Sequence, residues 1–232
     1  MIQINRKKAL LFVSADTDYL YKEGIRILSS DFELLDTFRM NRKSPGISSI
    51  RSSIESFGKV HYIFNFLSPK IFPLWLLKQA EIACINIHPA SYEYPGVGSA
   101  SYSLYDNKSE YGVSAHYMTE NIDAGGIFAE RFFDQSPYRD SRSLFERALA
   151  ECPSLLEDVV KSLRSKEKPE VIRKWAKRAT TRAEFEAWMH LAHLPSSEEW
   201  EKKIQALSHP NFPGPYLKLG VHTFVLNPKN QD

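Results

Sequence analysis

Asn86 and His88 stand two residues apart at the end of the apolar run Ala83-Cys84-Ile85, and an aspartate follows in Asn121-Ile122-Asp123-Ala124-Gly125-Gly126. The apolar run reads as a buried strand, on which residues two apart point to the same side. An amide and an imidazole therefore project together from the strand's C-terminal end, where Pro89 stops it. The loop around Asp123 is able to bring a carboxylate to the same place. Amide donor, imidazole base and carboxylate orienter are the parts that acyl transfer requires. Each has a plainer reading when taken singly: Asn and Asp form turns, and a histidine at a strand end can be hydrogen-bonded scaffold.

The longer string is more specific. Asn86-Ile87-His88-Pro89, Glu93-Tyr94-Pro95-Gly96-Val97-Gly98, Tyr111-Gly112-Val113-Ser114-Ala115-His116-Tyr117-Met118 and Ile122-Asp123-Ala124-Gly125 together resemble the folate-dependent formyltransferase superfamily. Within it, the chain looks most like the bacterial sugar-nucleotide N-formyltransferases. The resemblance is strong over about residues 60–135 and continues more weakly through Trp175 to Thr181 and Phe212-Pro213-Gly214-Pro215-Tyr216. It implies 10-formyltetrahydrofolate as cosubstrate and a nucleoside-diphosphate-linked amino sugar, dTDP favoured, as substrate. It also implies a place in O-antigen or lipopolysaccharide biosynthesis and a homodimer. In that chemistry His88 is the general base, Asp123 fixes its tautomer and Asn86 donates to the oxyanion. Two alternatives stay open: transfer to another small amine such as glycinamide ribonucleotide, and hydrolysis of the formyl donor. Against the first stands the loop Ala90-Ser91-Tyr92-Glu93-Tyr94-Pro95-Gly96, where the tRNA and glycinamide enzymes usually carry a Ser-Leu-Leu-Pro core. Against the second, hydrolases of that kind carry an extra N-terminal domain, whereas residue 8 here already begins a strand.

The resemblance sets the pterin against Leu67, Ser68, Pro69 and Ile71 and against the loop 119–123, which includes Ile122. Tyr92, Tyr94 and Tyr102 are candidates to stack on a base or sugar, and Gly96 allows close backbone approach. Lys70 and Arg178 are candidates for the diphosphate, whose negative charges need cationic partners. His116 aligns with Ser114 and Met118 by strand periodicity and reads as core; His61 reads as structural. Glu186, His190 and His193 have helical spacing but no completing ligand, so no metal is expected.

The bulk numbers fit this reading. With 232 residues, 43% hydrophobic and 25% charged, the chain resembles an ordinary globular protein able to bury a core. A net charge of +2 with acids and bases mixed gives no nucleic-acid footprint. Cys84 and Cys152 lack metal-ligand spacing, and the polar start followed by a brief apolar run is too short for a signal peptide or membrane span. The expected location is the cytoplasm.

These residues need a scaffold. Apolar or β-rich runs predict strands at 8–14, 32–35, 60–66, 83–87, 112–118 and 127–133. Helical patterns fall at 19–30, 48–57, 69–80 with Ser68 as N-cap, 99–105, and 141–165 with an interruption near Pro153. The alternation predicts an α/β fold with a mainly parallel sheet covered on both faces, chemistry gathering at the C-terminal strand ends. Residues 1–169 form the expected catalytic domain and 170–232 a small extension, the boundary being soft. In the extension, helices are expected at 181–191 and 196–207 and a hairpin at 216–226 turning at Gly220. Its apolar runs, Phe212-Pro213-Gly214-Pro215-Tyr216-Leu217 and Phe224-Val225-Leu226, are hard to bury in so small a tail, which suits an interface between two copies.

Overall fold

The structure is a computed structural model that describes residues 6–191, 196–209 and 214–226. His193, Phe212 and Pro213, singled out above, lie outside the described residues. In chain order the elements of the main body are β1 (Lys7–Ser14), α1 (Asp18–Ser29), β2 (Phe32–Met40), a 3-10 turn (Ile47–Ile50), α2 (Arg51–Ser56), β3 (Val60–Phe66), α3 (Leu74–Leu77), β4 (Ala80–His88), α4 (Ser99–Tyr105), β5 (Glu110–Tyr117), β6 (Ile127–Asp134) and α5 (Ser141–Ser165). Then follow α6 (Arg182–Trp188), α7 (Ser197–Leu207), β7 (Tyr216–Leu219) and β8 (His222–Val225).

The six strands β1 to β6 form one sheet in the order β2-β1-β3-β4-β5-β6. The strands β2, β1, β3 and β4 run parallel, and β5 pairs antiparallel with both β4 and β6. Continuous burial along β1 and β3 reflects cover on both faces, as parallel strands require. Leu11, Val13, Phe64, Ile85 and Ile87 join Leu155 and Val159 of α5 in one core layer. Leu10, Phe12, Ile63 and Cys84 join Ile54 of α2 and Leu76 of α3 in the other. The two-residue period therefore puts Asn86 and His88 on the Cys84 face, at the C-terminal end of β4.

Two expectations are corrected. Residues 69–73 are not helical; α3 begins only at Leu74, after Pro73 in an extended conformation. Proline disfavours a helical conformation in the residue before it, and here two prolines bracket the segment. The Asn65 side chain closes a turn instead, accepting from the Ser68 backbone N–H at 3.1 Å. Conversely, α5 runs unbroken through Pro153. Proline removes one helical hydrogen bond, but the stripe from Leu144 to Leu163 is buried along the sheet and outweighs that loss.

After α5 the chain becomes an extended strap. The Ile127 N–H donates to the Arg173 carbonyl at 2.9 Å, Ala176 N–H to Tyr92 at 3.1 Å, and Thr180 N–H to Pro95 at 3.0 Å. The strap thus runs from the free edge of β6 across the loop that follows His88. The hairpin of β7 and β8 forms as expected, turning at Gly220. No helix among the described residues is long and apolar enough to cross a membrane.

Candidate active site

Register places the next residues. Asn86 pairs with His116 and His88 with Ser114 across β4 and β5, so all four side chains share one face. Asn86 Nδ2 lies 2.9 Å from His116 Nε2, and His116 Nδ1 lies 3.0 Å from the Tyr117 carbonyl. His116, read from sequence as core, is buried but belongs to this cluster.

Asp123 reaches the cluster from the β5–β6 connection with a left-handed backbone, φ 44°. Aspartate is among the few non-glycine residues that visit this region. Its Oδ2 lies 3.6 Å from His88 Nε2 and its Oδ1 3.4 Å from His116 Nε2. A third contact fixes it: the Gly96 N–H donates to Oδ2 at 2.8 Å. Gly96 has φ +87°, and a Cβ there would stand 2.4 Å from the Thr180 carbonyl oxygen. Only glycine lets the loop after His88 touch both the carboxylate and the strap.

The electrostatics follow from burial and these contacts. Burial lowers the His88 pKa by disfavouring the imidazolium; the Asp123 charge opposes this, and His116 adds to it. Burial alone would raise Asp123, but the neighbouring His88 and His116 rings and the Gly96 N–H hold it well below the usual carboxylate range. His88 Nε2 is buried without a hydrogen-bond partner among the described residues. An imidazole so placed, at ion-pair distance from a carboxylate, is equipped to accept a proton.

Trp175 of the strap covers the cluster. Its ring meets those of His88 and His116 nearly at right angles, with centroids 5.5 and 5.1 Å away. Its indole N–H donates to the Gly125 carbonyl at 3.0 Å, inside the Asp123 loop. In sequence Trp175 appeared only in the weaker stretch of resemblance, since nothing local tells that it folds back over His88.

The remaining candidates fall in different places. Tyr94 is 2% exposed and its hydroxyl donates to Asp106 at 2.8 Å, so in this structure it packs within the loop. Tyr102 is half-buried against Trp188, with centroids 4.4 Å apart. Tyr92 carries the Arg173 guanidinium over its ring. Lys70 donates to the Ser44 carbonyl at 2.6 Å, and Arg178 is paired with Glu184, so both cations named from sequence already have partners. Leu67 closes β3 with φ 66°, and Ser68 is buried beside it, followed by Pro69. Ile71 and Ile122 are 67% and 52% exposed, two apolar side chains left open to solvent. His61 accepts from the Lys8 N–H at 2.9 Å, a structural contact.

Residues 46–160 match the family model described as formyl transferase. GDP-perosamine N-formyltransferase of Brucella melitensis is 32% identical over 94 residues, covering 40% of this chain and 36% of that protein. The match thus spans little more than a third of the length of that curated relative. A 4-N formyltransferase from Francisella tularensis superposes with a TM-score of 0.72 at 19% identity, covering 95% of this chain and 96% of that one. An N-formyltransferase from Helicobacter canadensis, in complex with folinic acid and dTDP-3-aminofucose, gives a TM-score of 0.67 at 13% identity, covering 93% and 84%. These solved structures share the fold: a mostly parallel six-stranded sheet flanked by helices.

Proposed function

Because the chain belongs to the formyltransferase family, we propose that it transfers a formyl group from 10-formyltetrahydrofolate to the amine of a nucleoside-diphosphate-linked amino sugar, dTDP favoured. The observation that carries this reading is the meeting of Asn86, His88, His116 and Asp123 at one strand end beneath Trp175. Support for the substrate class comes from the names of the Brucella and Helicobacter proteins.

In this reading the substrate amine attacks the formyl carbon, and His88 takes the proton lost by nitrogen. With Nε2–H turned toward Asp123, Nδ1 of His88 keeps the lone pair that accepts it. Asp123 holds that tautomer and supports the imidazolium that forms. Asn86 donates to the carbonyl oxygen as it becomes an oxyanion. Collapse expels the folate nitrogen, which takes the proton back from the His88 imidazolium, and leaves tetrahydrofolate and an N-formyl sugar. Leu67, Ser68, Pro69, Ile71 and Ile122 fit the pterin on one point of this structure: Ile71 and Ile122 are apolar and uncovered. The chain acts as a homodimer in a reducing cytoplasm, where the buried thiols Cys84 and Cys152 stay free.

The test is an assay of the purified full chain with the formyl donor and a panel of thymidine-, uridine- and guanosine-diphosphate 3-amino and 4-amino sugars. Mass spectrometry should find one formyl group added to at least one member. Activity on glycinamide ribonucleotide alone would replace the sugar reading.

A further inference from the structure

On the face of the sheet that carries His88, Ser114 lies beside His88 and Glu130 beside Ser114. Strands lie about 4.8 Å apart, so Glu130 stands roughly 10 Å from the base along that face. The Ser114 hydroxyl is committed, donating to the Ala90 carbonyl at 2.8 Å. Glu130 is only half committed. Its side chain is 4% exposed, Oε2 lies 2.8 Å from Arg173 Nε, and Oε1 is buried without a partner among the described residues. Leaving a buried acceptor unsatisfied is costly, so an orphan oxygen on the catalytic face points to a missing donor. Ser91 Oγ, in the loop between His88 and Tyr92, is a second such atom.

Arg173 completes the arrangement. Its guanidinium carbon sits 4.1 Å from the centre of the Tyr92 ring, Nε faces Glu130, and the side chain is 41% exposed. Its terminal nitrogens make no hydrogen bond among the described residues. Stacking on one face and tethering at Nε hold the fork in place before any ligand arrives, with its outer edge free. That edge suits phosphate oxygens. Along the sheet face the order is base, buried acceptor, cation. A nucleoside-diphosphate amino sugar presents amine, ring hydroxyl and diphosphate in the same order.

We propose that the Arg173–Glu130 pair anchors the diphosphate end of the substrate, Arg173 donating to phosphate oxygens and Glu130 Oε1 accepting from a sugar hydroxyl. This rests on the sugar-nucleotide reading of the site. The competing role is mechanical, the pair merely pinning the strap to β6.

Titration calorimetry of the full chain with dTDP, UDP, GDP and their nucleosides separates the two. Wild type should bind at least one diphosphate more tightly than its nucleoside. Arg173→Gln should weaken that diphosphate by about 10- to 100-fold, the range of a charge-assisted hydrogen bond, and leave the nucleoside unchanged. KM for the sugar nucleotide should rise by the same factor, while kcat and KM for the formyl donor stay within about threefold of wild type. Arg173→Lys should restore part of the loss, since it keeps the charge but not the fork. Arg142→Gln, which removes a surface charge on α5, should match wild type. If wild type binds a diphosphate and Arg173→Gln binds it equally well, the anchor is overturned and the sugar reading stands. Equal losses for nucleoside, diphosphate and formyl donor would likewise overturn the anchor, in favour of the pinning role. If wild type binds no diphosphate and formylates no sugar nucleotide, both fall.

Discussion

Asn86 Nδ2 stands 2.9 Å from His116 Nε2. Nδ1 of the same ring faces the Tyr117 carbonyl, which can only accept, so Nδ1 carries the hydrogen. In the neutral ring Nε2 then accepts from Asn86, which fixes one amide hydrogen and leaves the other for the reacting carbonyl. Asn86→Ala should lower kcat by about 100- to 1000-fold with little effect on KM, as for other oxyanion donors. His116→Ala keeps the donor but frees it, and should cost about tenfold, the worth of one hydrogen bond. Steady-state kinetics decide: an Asn86→Ala effect confined to KM contradicts the oxyanion role.

As the proposed general base, His88 should set the pH dependence of the reaction. Burial lowers its pKa from the ordinary 6.5, with Asp123 opposing. The basic form therefore persists to lower pH, and kcat/KM should rise with pH through a midpoint below about 6.5 and then level. Asp123→Asn deletes the opposing charge, so the midpoint should move lower still while the plateau falls. Stability follows the same sign. A depressed histidine contributes fully above its unfolded pKa of about 6.5, and the contribution is lost as pH falls through the folded value. His88→Asn should flatten the rising limb, lower kcat by at least about 100-fold and leave donor and nucleotide binding largely intact. A wild-type midpoint above 7, or near-normal turnover in His88→Asn, removes His88 from the mechanism.

That Asn86 and His88 share one face was legible because it is local: two residues on one strand obey a period of two, whatever the rest of the chain does. The hairpin at Gly220 was legible for the same reason. His116 was not, because its face depends on antiparallel register with β4, a relation between distant segments. Trp175 and Arg173 lie further still from any local signal, on a strap with little regular structure of its own. The error at 69–80 has a different origin. Ser68 as N-cap and Pro69 at the first helical position suggested a helix from residue 69 with an irregular start at Pro73, but Pro73 and the Asn65 turn delay it to Leu74.

The roof of the site makes a separate prediction. A Cβ on Gly125 would stand 1.7 Å from the Tyr117 carbonyl oxygen, so the backbone must move to admit one. Gly125→Ala should destabilise the fold by about 3 kcal/mol, the upper end for overpacking, and displace the Asp123 loop, lowering kcat as well. Trp175→Phe keeps an aromatic ring over His88 and loses only the bond to Gly125, so it should cost about 1 kcal/mol and spare most of kcat. Urea denaturation and kinetics on both variants check this. A fully active, stable Gly125→Ala would show that the loop geometry does not position Asp123.

The last prediction concerns the hairpin. Tyr216 docks it to the main body, its N–H donating to Met189 at 3.1 Å and its carbonyl accepting from Leu191 at 2.9 Å. Beyond that anchor Leu219, Val221, Phe224 and Val225 are 66%, 95%, 54% and 48% exposed. A two-stranded hairpin is marginal alone in water, and these exposed apolar side chains call for a partner. In the homodimer proposed here the twin supplies that partner, and the two copies meet through the same patch. Val221 and Phe224 face solvent in the single chain, so replacing both by Asp costs the monomer little but puts charge into the shared seam. Light scattering should give the mass of two chains for wild type and of one for Val221→Asp/Phe224→Asp, with donor binding retained. A wild type that is monomeric at high concentration sinks the dimer and leaves the apolar hairpin for another occupant.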